Sequence, residues 1–219
     1  GDLEGRMHSL HHIGGYISFL PALARDTPSA ATRQESPRMT PTLFQKLLGA
    51  SFYSLPPAVR TLHSVRGKAT YAGRANVLRG ESALSRFCAR IARLPPALEN
   101  TSISVAFDNS PACESWRRDF AGHPMHSRLR APDKLLEERL GPLQFRFSLH
   151  VYDQALHWRV QRVRLLGLMP LPSSWFEGVR CREREHGERY EFLVEASMPV
   201  VGLIVCYQGW LEPVEAATE

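Results

Sequence analysis

The sequence lacks most of the features that would identify a function. Its 219 residues include only four cysteines, at positions 88, 113, 181 and 206, and these show neither the CxxC pairing of a zinc site nor the density of a disulfide scaffold. No apolar run approaches the roughly 20 residues of a membrane-spanning helix. No GxGxxG or GxSxG signature occurs. We therefore expect a cytoplasmic protein with reduced thiols, and we expect neither a cofactor nor a metal site.

Lysine is nearly absent, although the chain is basic. The net charge is +5, and only Lys46, Lys68 and Lys134 among the 27 basic residues are lysines. Guanidinium groups bind carboxylates and phosphates through paired hydrogen bonds. A genome biased toward arginine codons would give the same composition without functional meaning. The arginines are spread over many predicted strands, which argues against nucleic acid as a partner.

The two ends of the chain differ in composition from its middle. Residues 1–40 have few apolar anchors after Leu23, so we predict a disordered leader, within which residues 1–6 are a candidate cloning scar. Residues 214–219 are predicted to form an acidic tail. Residues 41–213 are predicted to form a single β-rich domain.

Two short helices are predicted near the start of this domain. Thr40-Pro41 is typical of a helix start, and leucines at 43, 47 and 48 follow at helical spacing. The second helix covers about residues 82–93 and carries an apolar stripe away from its arginines. The stripe consists of Leu84, Phe87, Cys88 and Ile91.

The rest of the domain has the pattern of strands and turns. Apolar and polar residues alternate most clearly over residues 143–151, and turn signals recur about every ten residues, which favours antiparallel pairing. The fold class is therefore mainly β: a curved antiparallel sheet or barrel-like meander of about ten strands. A sheet of this size must curl, close or split. Its buried face could pack on a second layer, on the helices or around an internal cavity.

One predicted strand combines aromatic and charged side chains on a single face. Trp116, Arg118 and Phe120 share strand parity, so a guanidinium lies between two aromatic side chains. This arrangement is typical of a site for an anionic head group with apolar walls. It is equally typical of a strand whose arginine pairs with a carboxylate across the sheet. Both interpretations remain open at this point.

The adjacent Glu137 and Glu138 point to opposite faces of a strand, so they cannot serve together as an acid–base pair. One of them could enter the interior and pair with Arg128, Arg130 or Arg146 on a nearby strand. We favour this structural role over catalysis, and Glu138 is a weak catalytic candidate.

The order and spacing of several short motifs resemble a known family. These motifs are Phe52 with Leu55-Pro56 and His63, Gly73-Arg74 with Gly80, Trp116-Arg117-Arg118-Asp119-Phe120, Glu137-Glu138 with Gly141-Pro142, Leu171-Pro172, and Tyr207-Gln208-Gly209. Over about residues 43–213, they resemble a bacterial domain-of-unknown-function family, number four-one-six-six. Its members occur alone or attached to a saccharopine-dehydrogenase-like domain. The resemblance implies a single domain that can combine with an oxidoreductase-like partner, and it implies no activity.

An analogy with small lipid-binding β-barrels gives the leading functional hypothesis, the binding of an amphiphilic or hydrophobic small molecule in a β-sheet cavity. The predicted ligand-binding residues are Arg74, Trp116 and Arg118 near a polar mouth, and Phe145, Phe147, Trp158 and Tyr207 in the walls. The alternative is an enzyme or accessory domain that works with a dehydrogenase-like partner through Glu138 as a general base.

Overall fold

The structure is a computed structural model that describes residues 40–215. The predicted leader and most of the predicted acidic tail lie outside the described residues. Within residues 40–215, no helix is long and apolar enough to cross a membrane.

Strands dominate the described chain, and the helices are short. The α-helices are α1 (Leu43–Leu48), α2 (Pro57–Leu62) and α3 (Ala83–Ile91). Short 3-10 helices cover Gly49–Ser54, Pro132–Lys134 and Ser173–Phe176. The strands are β1 (Gly67–Arg79), β2 (Leu98–Asn109), β3 (Glu114–Phe120), β4 (His123–Arg130), β5 (Leu136–Leu140), β6 (Leu143–Tyr152), β7 (Ala155–Leu165), β8 (Met169–Leu171), β9 (Gly178–His186), β10 (Arg189–Met198) and β11 (Gly202–Pro213).

The strands form a closed antiparallel barrel. Neighbours from β1 to β6 pair in chain order, β6 pairs with β7, β7 with β9, and β10 and β11 lead back to β1. The three-residue β8 pairs only with β7 and stands outside the ring. The prediction of a mainly β fold with about ten antiparallel strands is confirmed, and the sheet closes. Closure pairs each of the ten ring strands within residues 40–215 on both sides and encloses one face of each.

The helical segment before β1 closes one end of the barrel, which we call the floor. Thr42 caps α1 with its side chain and forms a capping box with Gln45. Its hydroxyl also donates to the carbonyl of His63 at 2.9 Å, which ties α1 to the end of α2. Six apolar side chains of this segment are fully buried in the barrel core: Leu43, Phe44, Phe52, Leu55, Val59 and Leu62.

Helix α3 lies at the opposite end of the barrel, which we call the mouth. Ser82 caps its first turn, and the Ser85 hydroxyl donates to the carbonyl of Leu203 at 2.7 Å. The small side chains of Ser85 and Ala89 face the barrel and are buried. The predicted apolar stripe does not pack on the sheet, because close approach to β11 leaves room only for small residues. Its central residue, Phe87, is 60% exposed.

Candidate functional site

A cavity of about 270 Å³ lies inside the barrel between the floor and the mouth. Most of its walls are aliphatic or aromatic side chains from the inner faces of the strands. Residues of α3 and the 3-10 helix Ser173–Phe176 complete the cavity at the mouth. Two residues there, Ile91 and Trp175, also reach the surface, with 45% and 47% of their area exposed. The cavity therefore reaches the end of the barrel that α3 covers.

Arg118 is a charged group within this apolar enclosure. Its guanidinium carbon lies 4.9 Å from the ring centre of Trp116, two residues earlier on β3. Its Nη1 donates to the Ser127 hydroxyl at 2.6 Å. Its Nη2 lies 3.6 Å from Oε1 of Glu138, which is an ion pair but too long for a hydrogen bond. Because a guanidinium has five N–H donors, Arg118 keeps donors that can face the cavity.

Glu138 enters the barrel, and its neighbour Glu137 points outward. The partner of Glu138 is Arg118 on β3, with 13% and 12% of the two side chains exposed. The prediction of a partner among Arg128, Arg130 and Arg146 is wrong for Glu138, since these three share the outward parity. Arg146 instead pairs with Glu137 at 3.0 Å on the outer face. A catalytic role for Glu138 stays a prediction.

Four of the residues predicted to form walls meet at this cavity. Phe145 and Phe147 stack on β6, Trp158 packs edge-on to Phe147, and Tyr207 lies on β11. The indole Nε1 of Trp158 is buried and has no hydrogen-bond acceptor among residues 40–215. A buried donor without an acceptor costs about 1–3 kcal/mol, so an acceptor at this point would be favourable.

Two tyrosines and one cysteine at the cavity, Tyr190, Tyr207 and Cys181, remain neutral donors at ordinary pH. Burial raises the pKa of Tyr207, while the nearby Arg118 opposes this effect. Burial and the Glu183 carboxylate both raise the pKa of Tyr190 and of Cys181. Protonated phenols and a protonated thiol can donate a hydrogen bond but add no charge to the cavity.

The predicted positions of Arg74, Trp116 and Arg118 at a polar mouth are wrong. Trp116 and Arg118 lie inside the barrel. Arg74 is exposed on the outer face of β1, in a surface groove, where its Nε donates to Asn100 Oδ1 at 3.1 Å. The odd-numbered residues of β1, such as Tyr71 and Ala75, face the interior. Arg74 is at an even position and therefore faces outward.

A second polar cluster lies under the cavity, and sequence reasoning missed its acidic members. His63, at the end of α2, contacts Glu183 with 2.5 Å between Nε2 and Oε2, and both residues are buried. Its ring stacks on Phe44 at 3.7 Å. Nearby, the buried Glu114 accepts from Trp116 Nε1 at 3.1 Å. Burial raises the pKa of Glu114, while His63 acts in the opposite direction.

Strand parity could have found both buried glutamates. Glu183 shares the parity of Val179 and Cys181 on β9, and the arginines of that strand take the opposite parity. Glu114 shares the parity of Trp116 on β3. The sequence indicated His63 only as one residue of the motifs that resemble the family, without a role.

Comparison with protein families gives one match, to the model described as "Domain of unknown function (DUF4166)", over residues 55–211. The chain belongs to the DUF4166 family. The matched range runs from the floor segment to β11 and includes every residue of the cavity described above. The family description names no activity.

A solved structure, "Crystal Structure of Rv2717c from M. tuberculosis", shows a likeness with 11% sequence identity and a TM-score of 0.40. The likeness covers 74% of this chain and 99% of that one. The curated proteins give no match.

Proposed function

We propose that this DUF4166 domain binds a small amphiphile in the barrel, with the polar head against Arg118 and the apolar tail toward the mouth. The observation that carries the proposal is a largely apolar interior cavity that contains a guanidinium with donors to spare. The neutral phenols of Tyr190 and Tyr207 also line the cavity and can donate a hydrogen bond. Together, these groups favour a head that accepts hydrogen bonds.

The charges around the cavity limit the kind of head group. Two glutamates, Glu138 and Glu183, also line the cavity. Glu138 is paired with Arg118, and Glu183 is paired with His63. A doubly charged phosphate would be repelled by these carboxylates in a poorly solvated interior. A monoanionic carboxylate places less charge there and still matches the guanidinium fork.

The size of the cavity limits the tail. At about 270 Å³, it lies just below the range of roughly 300–1,000 Å³ typical of ligand pockets. A single medium-length chain suits this volume better than a two-chain lipid. The expected ligand class is therefore a medium-chain carboxylic acid.

Arg118→Ala is expected to weaken binding of such an acid by about 1–3 kcal/mol, which is roughly 5- to 150-fold in Kd, because a charge-assisted hydrogen bond is lost. The measurement is a titration of the full chain with a fluorescent medium-chain fatty acid, in competition with decanoate and with decanol. Decanoate should lose its advantage over decanol in the variant.

Two further variants separate binding from folding. Arg146→Ala removes an ion pair of similar burial on the outer face, where Arg146 and Glu137 are 17% and 15% exposed, so it should leave Kd unchanged. Arg118→Ala/Glu138→Gln removes both interior charges and should recover thermal stability but not decanoate binding. If the unmutated protein binds neither chain and Arg118→Ala only lowers the melting temperature, Arg118 has a structural role alone.

A further inference from the structure

Exposed apolar side chains surround the mouth of the barrel. We define the rim as Phe87, Ile91, Leu166, Leu168, Trp175 and Val200, all of which are exposed. Large apolar side chains scattered over a surface need no explanation, but a contiguous group marks an interaction site. The rim comes from four separate parts of the chain, which the barrel brings to one end.

Hydrogen bonds and one close backbone approach connect three of the four parts of the rim. Val200 lies in the β10–β11 turn, where the carbonyl of Val201 accepts from the Ser82 hydroxyl at the start of α3. Leu166 N–H donates to the carbonyl of Pro142 at 2.7 Å, and this β5–β6 turn lies beside the end of α3 at Ile91. Trp175 and Ile91 both line the cavity. The rim residues therefore all lie at the mouth end of the barrel.

Helix α3 presents arginines beside its apolar stripe. Arg86 and Arg90 on α3 are exposed, as is Arg93 two residues beyond its end, and no acidic residue occurs in α3. The acidic residues nearest to the rim in the sequence are Glu177, Glu195 and Glu81. An amphipathic helix with arginines on its polar side and large apolar residues on the other is typical of helices that lie in the interface of an anionic membrane.

We propose that the mouth of this barrel docks on an anionic lipid bilayer, with the rim inserted among the acyl chains and the α3 arginines bound to the head groups. Charge complementarity favours a bilayer over an uncharged protein surface. The docking goes beyond ligand binding and does not depend on it, although Ile91 and Trp175 connect the rim with the cavity.

The test is flotation of the full chain with vesicles of phosphatidylcholine alone or mixed with phosphatidylglycerol in a ratio of roughly two to one. We expect binding to the anionic vesicles that falls with added salt. Phe87→Ser/Leu168→Ser should reduce the partition coefficient at least tenfold, because the inserted apolar area is lost. Arg86→Gln/Arg90→Gln should reduce it roughly thirtyfold, because two head-group contacts are lost.

Matched controls lie away from the mouth. Tyr53→Ser removes an exposed aromatic ring at the floor, and Arg128→Gln/Arg130→Gln removes two exposed charges from the outer face of β4. Both should partition like the unmutated protein. Equal loss in these controls, or equal binding to neutral vesicles, would overturn the proposal.

Two other outcomes would also overturn it. If the unmutated protein does not float with anionic vesicles, the rim is not a bilayer surface. If it instead forms dimers that Phe87→Ser/Leu168→Ser dissociates, the rim is an interface between two copies. Phe87 and Leu168 do not line the cavity, so this variant should keep its affinity for decanoate. A failure of docking can thus be told apart from a failure of ligand binding.

Discussion

Glu183→Ala is expected to lower the free energy of unfolding by about 3–5 kcal/mol. The Glu183 carboxylate lies 2.5 Å from His63 Nε2, and both side chains are almost completely buried. Truncation would leave His63 Nε2 without its partner in a buried site packed against Phe44. A protein of this size loses roughly 2–4 °C in Tm for each kcal/mol, so the expected shift is roughly 6–20 °C.

The matched control is the same substitution in an exposed pair. Glu191→Ala removes the partner of Arg184 on the neighbouring outer face, where the two side chains lie 2.9 Å apart in contact with solvent. Exposed ion pairs contribute about 0–1 kcal/mol, so Tm should hardly change. Urea denaturation of both variants provides the measurement. Equal, small losses in both would mean that water reaches Glu183 and that the floor of the barrel is not closed.

Glu183→Gln separates the hydrogen bond from the charge at this position. The amide keeps the shape of the side chain and can still bond to the imidazole, so a smaller loss than for alanine is expected. A loss as large as that of alanine would show that the negative charge itself stabilises His63.

The strands were predictable because each strand of a closed barrel has one buried face. Apolar and polar residues therefore alternate along such a strand. In β6, Phe145 and Phe147 face the interior, whereas Gln144 and Arg146 face outward. The same parity placed Trp116 and Arg118 on a common face. Alternation therefore gave most of the element boundaries and most of the residues that meet at the cavity.

Contacts between strands were not predictable in the same way. The partner of Glu138 depends on how far each strand is shifted against the next, and Arg118 reaches it across Ser127 of β4. The orientation of α3 also lies beyond a sequence pattern. An amphipathic helix has an apolar face, but only the packing of Ser85 and Ala89 shows that this face turns away from the sheet.

Two glycines of the family motifs, Gly73 and Gly209, lie where β1 and β11, the first and last strands of the barrel, pair with each other. A Cβ on Gly73 would lie 1.8 Å from the carbonyl oxygen of Trp210, and a Cβ on Gly209 would lie 2.2 Å from that of Arg74. Both glycines permit a close approach of two backbones, which a strand needs where a barrel bends sharply.

Gly73→Ala is accordingly expected to cost about 3 kcal/mol or more, which is at least roughly 6 °C in Tm. The added methyl group would meet a backbone carbonyl, which cannot turn aside as a flexible side chain can, so β1 and β11 must separate at the point where the barrel closes. Thermal melting, followed by far-ultraviolet circular dichroism, measures the loss.

Gly187→Asn is the control, because Gly187 has a φ of 56° with nothing near its Cβ position, a conformation that asparagine tolerates. It should cost less than about 1 kcal/mol. If Gly73→Ala melts within a degree or two of that control, the two strands are not in the close contact described here.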